Sequence, residues 1–93
     1  MFSETILEEA NRLVDGPRQD AYGHPIDDFS RTGRIWGAML GVADIPPRTV
    51  ALMMVAVKLS REMNRPGRDN LVDIAGYART AEMVTAEELR RTK

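Results

Sequence analysis

Acidic and basic residues lie close together around a single turn in the second half of the sequence. Asp69 and Asp73 are four residues apart, which places both carboxylates on one side of a helix. Mg²⁺ in phosphate-processing sites is held by one or two carboxylates together with substrate phosphates. The spacing therefore predicts a magnesium site on Asp69 and Asp73, which would also be the catalytic acids. Three of the basic residues around the same turn are predicted to bind substrate phosphates; they are Lys58, Arg61 and Arg68.

Three further polar residues are candidates for substrate binding. Asn70 and Tyr77 share one stripe of a helix with Asp73, because the three are spaced by three and four residues. Tyr77 can stack on a base or give its hydroxyl to a phosphate, and it equally fits a core position with the hydroxyl at the rim. His24 is the only histidine, so it cannot belong to a multi-histidine metal site. It can serve as a base, or it can cap a helix and pack a loop.

A purely structural role is an open alternative for the charged residues as well. A carboxylate at a helix N-terminus, such as Asp69, complements the helix dipole without any ligand. A cation near a helix C-terminus, such as Arg61, does the same at the other end. Asp73 lies one turn inside its helix between two apolar residues, where a functional role and a structural ion pair both agree with the sequence.

The elements that would position these residues are all predicted to be helices. No alternating pattern typical of a strand is present, and Arg18 to His24 are expected to form a loop. Apolar residues recur at helical spacing in four segments, at about 4–14, 25–40, 47–63 and 70–83. We therefore expect one all-α domain over residues 1–93 that resembles a four-helix bundle, with a short C-terminal helix or tail over 85–93.

Local signals predict where these helices begin. Ser3 can cap the first helix, and Thr5–Glu8 has the spacing of a capping box, in which a threonine and a glutamate satisfy each other's backbone amides. Thr85–Glu88 has the same spacing. The second box would open the short C-terminal helix. Asp69 or Asn70 is the expected N-cap of the fourth helix, because their side chains accept hydrogen bonds from free amides.

The segment Val50–Val57 is apolar around its whole circumference. Such a helix must be surrounded by other protein, and the neighbouring helices of so small a bundle leave part of it uncovered. We therefore expect a homo-oligomer, with a dimer as the simplest closed case. In the preceding helix, Gly33 is expected to permit close backbone approach and Trp36 is expected to lie in the core.

Composition excludes several classes of function. The 93 residues carry a formal net charge of −1, which gives no electrostatic basis for nucleic acid or an anionic membrane as the main partner. The chain has no cysteine, so disulfides and thiolate sites are excluded. No apolar run approaches the length of a membrane span and no signal-peptide pattern is visible, so we expect a cytoplasmic protein.

Several motifs resemble a small all-helical family of uncharacterised function that is widespread in tailed bacteriophages and prophages. The similarity covers about residues 5–84, and its most specific parts are Tyr-Gly-His-Pro in Tyr22–Pro25 and Asp-Ile-Ala-Gly-Tyr in Asp73–Tyr77. More distantly, the chain is similar to the MazG-like all-α nucleotide pyrophosphohydrolases. That similarity implies a Mg²⁺-dependent helical oligomer, in the host cytoplasm, that splits nucleoside triphosphates into monophosphate and pyrophosphate.

The chain departs from these hydrolases at their acidic motifs. Those enzymes typically hold magnesium with Glu-x-x-Glu on one helix and Glu-x-x-Asp on the next. Here Asn70–Asp73 stands in place of the second motif, so only Asp73 matches, and Lys58–Glu62 stands in place of the first. Three hypotheses follow. The chain is a pyrophosphohydrolase-like phage protein acting on a nucleotide, or it is a non-catalytic phage accessory protein, a helical oligomer that binds a host protein or a nucleotide. The third is that it is a plain scaffold.

Overall fold

A computed structural model describes residues 3–92, and this part of the chain folds into helices without any strand. The helices are α1 (Ile6–Asp15), α2 (Pro17–Tyr22), α3 (Pro25–Leu40), α4 (Pro47–Asn64) and α5 (Arg68–Arg91). The most extensive packing joins α4 to α5, while α1 packs on α5 and α3 contacts both α4 and α5. The predicted all-α class is confirmed, and the chain forms one compact domain.

Of the two candidate caps of the first helix, the structure uses Thr5 and not Ser3. Thr5 is the N-cap of α1 and its hydroxyl accepts a hydrogen bond from the Glu8 amide at 3.1 Å. The Glu8 carboxylate accepts one from the Thr5 amide at 2.9 Å, which completes the capping box. The amphipathic α1 then buries Ala10 and Val14 against the rest of the domain.

Two segments are helical where a loop or a break was expected. Residues 17–22 form α2, which begins at Pro17 and ends at Gly23, where φ is +79°. The fourth predicted helix does not end near residue 83, because α5 continues to Arg91. The capping box at Thr85 is wrong: the Thr85 hydroxyl donates to the Ala81 carbonyl at 3.2 Å inside the continuous helix. Val84 is completely buried, so tertiary packing holds the helix together at this point.

The expected cap of α5 is also wrong. Gly67 occupies the N-cap position and offers no side-chain hydrogen bond, so Asp69 and Asn70 lie inside the first turn. The capping hydrogen bond comes instead from Glu62 at the end of α4. Its Oε1 atom accepts a hydrogen bond from the Gly67 amide at 2.8 Å. The same oxygen accepts a second one from the Asn70 side chain at 3.2 Å.

Close backbone packing after α3 depends on two glycines. A Cβ atom on Gly33 would lie 1.9 Å from the Ile45 carbonyl oxygen, and one on Gly37 would lie 2.6 Å from the Ala43 carbonyl oxygen. The Ile45 amide donates to the Gly33 carbonyl at 3.1 Å, which fixes the connector against the helix. The close approach expected at Gly33 is thus confirmed.

The core of the domain is centred between α3, α4 and α5. It consists of Phe29, Val50, Ala51, Tyr77 and Ala81, and the partly buried Trp36, Ile45, Met54 and Val55 pack against it. The rings of Phe29 and Tyr77 are stacked with their centroids 6.1 Å apart, an arrangement that adds to the area they bury.

Part of Val50–Val57 is left uncovered by the rest of the chain, as expected for so small a bundle. Val50 and Ala51 are completely buried, but Leu52 is 45% exposed and Val57 is 38% exposed. The molecule measures 47 × 35 × 20 Å, and 20 Å is the thickness of only two helix layers. Because no third layer covers α4, half of its apolar circumference faces outward.

Candidate functional site

Lys58 and Asp73 form an ion pair that joins α4 to α5. The Lys58 Nζ atom lies 3.0 Å from Asp73 Oδ2, and only 15% of the lysine side chain and 34% of the aspartate side chain are exposed. The two predicted site residues are therefore brought together by the most extensively packed helix pair. Each neutralises the other, so neither presents an uncompensated charge to a ligand.

Tyr77 and Arg18 form a second polar contact in the neighbourhood of this ion pair. Tyr77 is buried, and its hydroxyl accepts a hydrogen bond from Arg18 Nη2 at 2.6 Å. The Arg18 guanidinium carbon also lies 4.8 Å from the centre of the tyrosine ring, within the range of a cation–π interaction. Tyr77 is thus a core residue whose hydroxyl reaches a cation from α2.

The space beside these residues is small. A cavity of about 20 Å³ is lined by Arg18, Asp73 and Tyr77 together with apolar residues of α1 and α5. A cavity of this volume holds about one water molecule. A nucleotide would therefore require α1 and α2 to move away from α5.

The magnesium site on Asp69 and Asp73 stays a prediction. The ammonium group of Lys58 already contacts Asp73 and would repel a divalent cation at the same oxygen. Asp69 is exposed in the first turn of α5, one helical turn before Asp73. Within residues 3–92 no group of three or more His, Cys, Asp or Glu side chains could hold a metal ion.

Arg68, another of the predicted phosphate-binding residues, contacts a different part of the chain from Lys58. Arg68 contacts α1, where its Nη1 atom lies 2.6 Å from Glu9 Oε1 and its Nη2 atom donates to the Glu4 carbonyl at 2.9 Å. Arg61 is exposed near the end of α4, and its carbonyl accepts the Arg65 amide. The predicted phosphate-binding cluster of Lys58, Arg61 and Arg68 is therefore not assembled around one point.

His24 and Asn70 both stabilise backbone. His24 is the N-cap of α3, and its Nδ1 atom accepts a hydrogen bond from the Ile26 amide at 3.1 Å. The Asn70 side chain donates to Glu62 and to the Arg65 carbonyl, which closes the turn between α4 and α5. Neither Arg18 nor Glu62 was predicted to be a site residue; Arg18 begins the segment that was expected to form a loop.

A different surface of the molecule is unusually apolar. The exposed side chains of α4 between Thr49 and Ser60 include no charged residue, and Met63 in the next turn is 87% exposed. We call this surface the outer face of α4; its members are Thr49, Leu52, Met53, Ala56, Val57, Leu59, Ser60 and Met63. Next to it a depression of about 240 Å³ is lined by Trp36, Met39, Leu40 and Met53. Trp36 was expected in the core and is instead partly exposed at this depression.

The outer face of α4 can be recognised in the sequence by its lack of charged residues. Solvent-exposed faces of helices in small domains normally carry charged residues, which keep contiguous apolar patches small. Here the charged residues of α4 lie elsewhere, at its two ends and on the side that faces α5. A contiguous apolar surface of this kind is typical of a protein–protein contact. None of the helices in residues 3–92 is long and apolar enough to cross a membrane.

Comparison with known proteins assigns the family. The chain is 35% identical over 88 residues to the Gene 55 protein of Mycobacterium phage L5 and 37% identical over 87 residues to the Gene 55 protein of Mycobacterium phage D29. The matches cover 94% and 92% of the chain but only 56% and 57% of these relatives, so the chain spans little more than half their length. No solved structure is significantly similar to it.

The expected resemblance to a bacteriophage family is confirmed by these relatives, whereas similarity to MazG-like enzymes stays a prediction. Residues 5–85 match the family described as a domain of unknown function, DUF6378. This match includes both motifs on which the resemblance was based, in Tyr22–Pro25 and Asp73–Tyr77. The chain therefore belongs to the DUF6378 family.

Proposed function

We propose that the chain is a non-catalytic phage accessory protein that acts by binding another protein chain. The observation that carries this proposal is the uncharged outer face of α4. Leu52 and Met63 are 45% and 87% exposed, although burying a leucine or methionine side chain stabilises a protein by about 1.5–3 kcal/mol. A partner that covers this face would recover that free energy on binding.

The chemistry of the ion-pair region favours binding over hydrolysis. The one acid that matches the pyrophosphohydrolase motif, Asp73, is paired with Lys58 at 3.0 Å. Glu62, which falls within the first motif, closes the turn before α5 through its Oε1 atom. Both acidic positions therefore already have structural partners within the chain.

Site-specific photo-crosslinking tests the proposal. A photoreactive amino acid replaces Leu59 on the outer face of α4 in the full chain, and the protein is expressed in mycobacteria, the host genus of the relatives' phages. We expect a covalent adduct with a discrete protein that mass spectrometry identifies. The matched control places the same amino acid at the exposed Ala86 of α5 and should give no such adduct. Equal labelling at both positions, or none at either, would contradict the proposal.

A nucleotide-binding function is the second candidate, and the Lys58–Arg18 neighbourhood favours it. Arg18 and the Tyr77 ring line one cavity together with Asp73, which Lys58 contacts, and phosphates and bases are recognised by such cations and rings. The test is thermal melting with nucleoside mono-, di- and triphosphates, each with and without Mg²⁺. A ligand that binds only the folded state raises the melting temperature. A shift that is lost in Lys58→Met supports this function, and the absence of any shift excludes it.

A further inference from the structure

Exposed and mostly apolar residues on one side of α4 follow the spacing of a coiled coil. Thr49, Leu52, Ala56, Leu59 and Met63 are separated by three, four, three and four residues, and all five are exposed. This is the a/d repeat of a heptad, in which each side chain inserts between four residues of a facing helix. The complementary surface for this repeat is therefore a helix that lies nearly parallel or antiparallel to α4.

We propose that the facing helix is α4 of a second copy of the chain, in antiparallel orientation, with the two-fold axis close to Ala56. The inference rests on the proposed function and names the partner of the same surface. In a two-fold dimer the same patch is used twice, so it must be complementary to itself. Ala56 lies at the centre of the repeat, where its small side chain lets the two helices approach closely. Antiparallel pairing then places Leu59 of one copy opposite Met53 of the other.

Charge supports the antiparallel orientation. Arg48 and Glu62 are fourteen residues apart, so they flank the same side of the apolar repeat near its two ends. An antiparallel pair brings Arg48 of each copy to Glu62 of the other, which creates two equivalent ion pairs. Both internal hydrogen bonds of Glu62 use Oε1, so the partner guanidinium can approach Oε2. In a parallel pair Arg48 would instead face uncharged Met53.

The depression beside α4 fits the same arrangement. Its lining includes Met53 on α4 and Trp36, Met39 and Leu40 on α3, and its volume is about 240 Å³. Met39 and Leu40 are 79% and 67% exposed in the single chain. Because Leu59 of the second copy lies opposite Met53, its side chain is placed to enter this depression. The dimer would thereby cover the exposed end of α3 as well as α4.

The first test is the mass of the full chain in solution. Sedimentation equilibrium should give a species of twice the 10.4 kDa chain mass that dissociates on dilution. Ala56→Glu brings two carboxylates together at the two-fold axis and should leave a monomer, with circular dichroism verifying that the variant remains helical. Ala86→Glu makes the same exchange at another exposed position and should remain dimeric. A wild-type monomer at all concentrations, or a dimer that Ala56→Glu leaves intact, would overturn the inference.

The second test determines the orientation of the helices. The chain lacks cysteine, so a single introduced thiol reports only on its own neighbours. In the antiparallel dimer Ala56→Cys should form an intermolecular disulfide rapidly under mild oxidation, whereas Met63→Cys should not. A parallel pair would link Met63→Cys as readily as Ala56→Cys and would contradict the proposed dimer.

The outcomes separate this inference from the proposed function. If the photoreactive group at Leu59 captures a host protein while the chain sediments as a monomer, the proposed function stands and the dimer is excluded. If Leu59 captures a second copy and Ala56→Cys forms the disulfide, both are supported. If no adduct forms at Leu59 and the chain is monomeric, both are overturned.

Discussion

The Lys58 ammonium nitrogen lies 3.0 Å from the Asp73 carboxylate, and this contact joins α4 to α5 at the position where chemistry was expected. The pair is neither fully buried nor fully exposed, with 15% of the lysine and 34% of the aspartate side chain accessible. In this setting the loss of one partner leaves the other charge partly desolvated. The same two residues that suggest a phosphate and metal site therefore contribute to the stability of the fold.

Replacement of Asp73 by asparagine should destabilise the protein. We expect the free energy of unfolding to fall by about 1–2 kcal/mol, between the values typical of exposed and buried ion pairs. Urea denaturation of the purified variant measures the change. Asp69→Asn is the matched control, because Asp69 is exposed, and it should alter stability by no more than about 0.5 kcal/mol. Equal effects of the two changes would show that the Lys58 contact is not stabilising.

Two glycines in helices should respond oppositely to replacement by alanine. Gly33→Ala should be destabilising, because its Cβ would lie 1.9 Å from the Ile45 carbonyl oxygen and would force the connector away from α3. Gly76→Ala places its Cβ 3.6 Å from Val14, an ordinary contact, and gains up to about 1 kcal/mol of helix propensity. Thermal unfolding measures both effects: the melting temperature should fall in Gly33→Ala and rise in Gly76→Ala. A stable Gly33→Ala protein would contradict the observed packing of the connector.

Removal of the His24 side chain should weaken the start of α3. His24→Ala loses the hydrogen bond to the Ile26 amide and should reduce the free energy of unfolding by about 1 kcal/mol, the usual value of an N-cap. His24→Asn keeps a capping acceptor and should be close to wild type in the same denaturation experiment. If the asparagine variant were as unstable as the alanine variant, the imidazole would have a role beyond capping.

The C-terminal end of α5 should lose stability in acid through Glu87. Hydrogen bonds from Arg90 and then Arg91 lower the pKa of the Glu87 carboxyl from 4.5 to about 2. Between these pH values the unfolded chain binds more protons than the folded chain. The stabilisation from Glu87 is therefore complete above about pH 4.5 and is lost as the pH falls towards 2.

Comparison of the wild type with Glu87→Gln tests this pH dependence. The amide cannot titrate, so the melting temperature of the variant should fall less steeply with acid over this interval. The difference between the two proteins should be greatest near neutral pH and should shrink as the pH approaches 2. Asp27 contributes in the same direction, because its hydrogen bond with Arg91 lowers its own pKa. Parallel pH profiles would contradict a specific contribution from Glu87.

Local interactions made much of the fold predictable from sequence. The helical periodicity and the capping box at Thr5 depend on residues that are near one another in the chain. The close approach at Gly33 depends only on the absence of a side chain at that position. The C-terminal end of α5 was missed for the opposite reason. Thr85 and Glu88 have the spacing of a cap, but buried Val84 and the contact of Arg91 with Asp27 extend the helix, and both depend on distant parts of the chain.

The sequence by itself determined an all-helical domain whose α4 segment has too much apolar surface for a small bundle to cover. It also brought Lys58 and Asp73 into one neighbourhood through two consecutive antiparallel helices. Only the tertiary structure decided that Lys58 contacts Asp73 directly, that Arg68 turns towards α1, and that Tyr77 is held by Arg18. The direction of a long charged side chain depends on which helix packs beside it, and residue spacing within one helix does not contain that information.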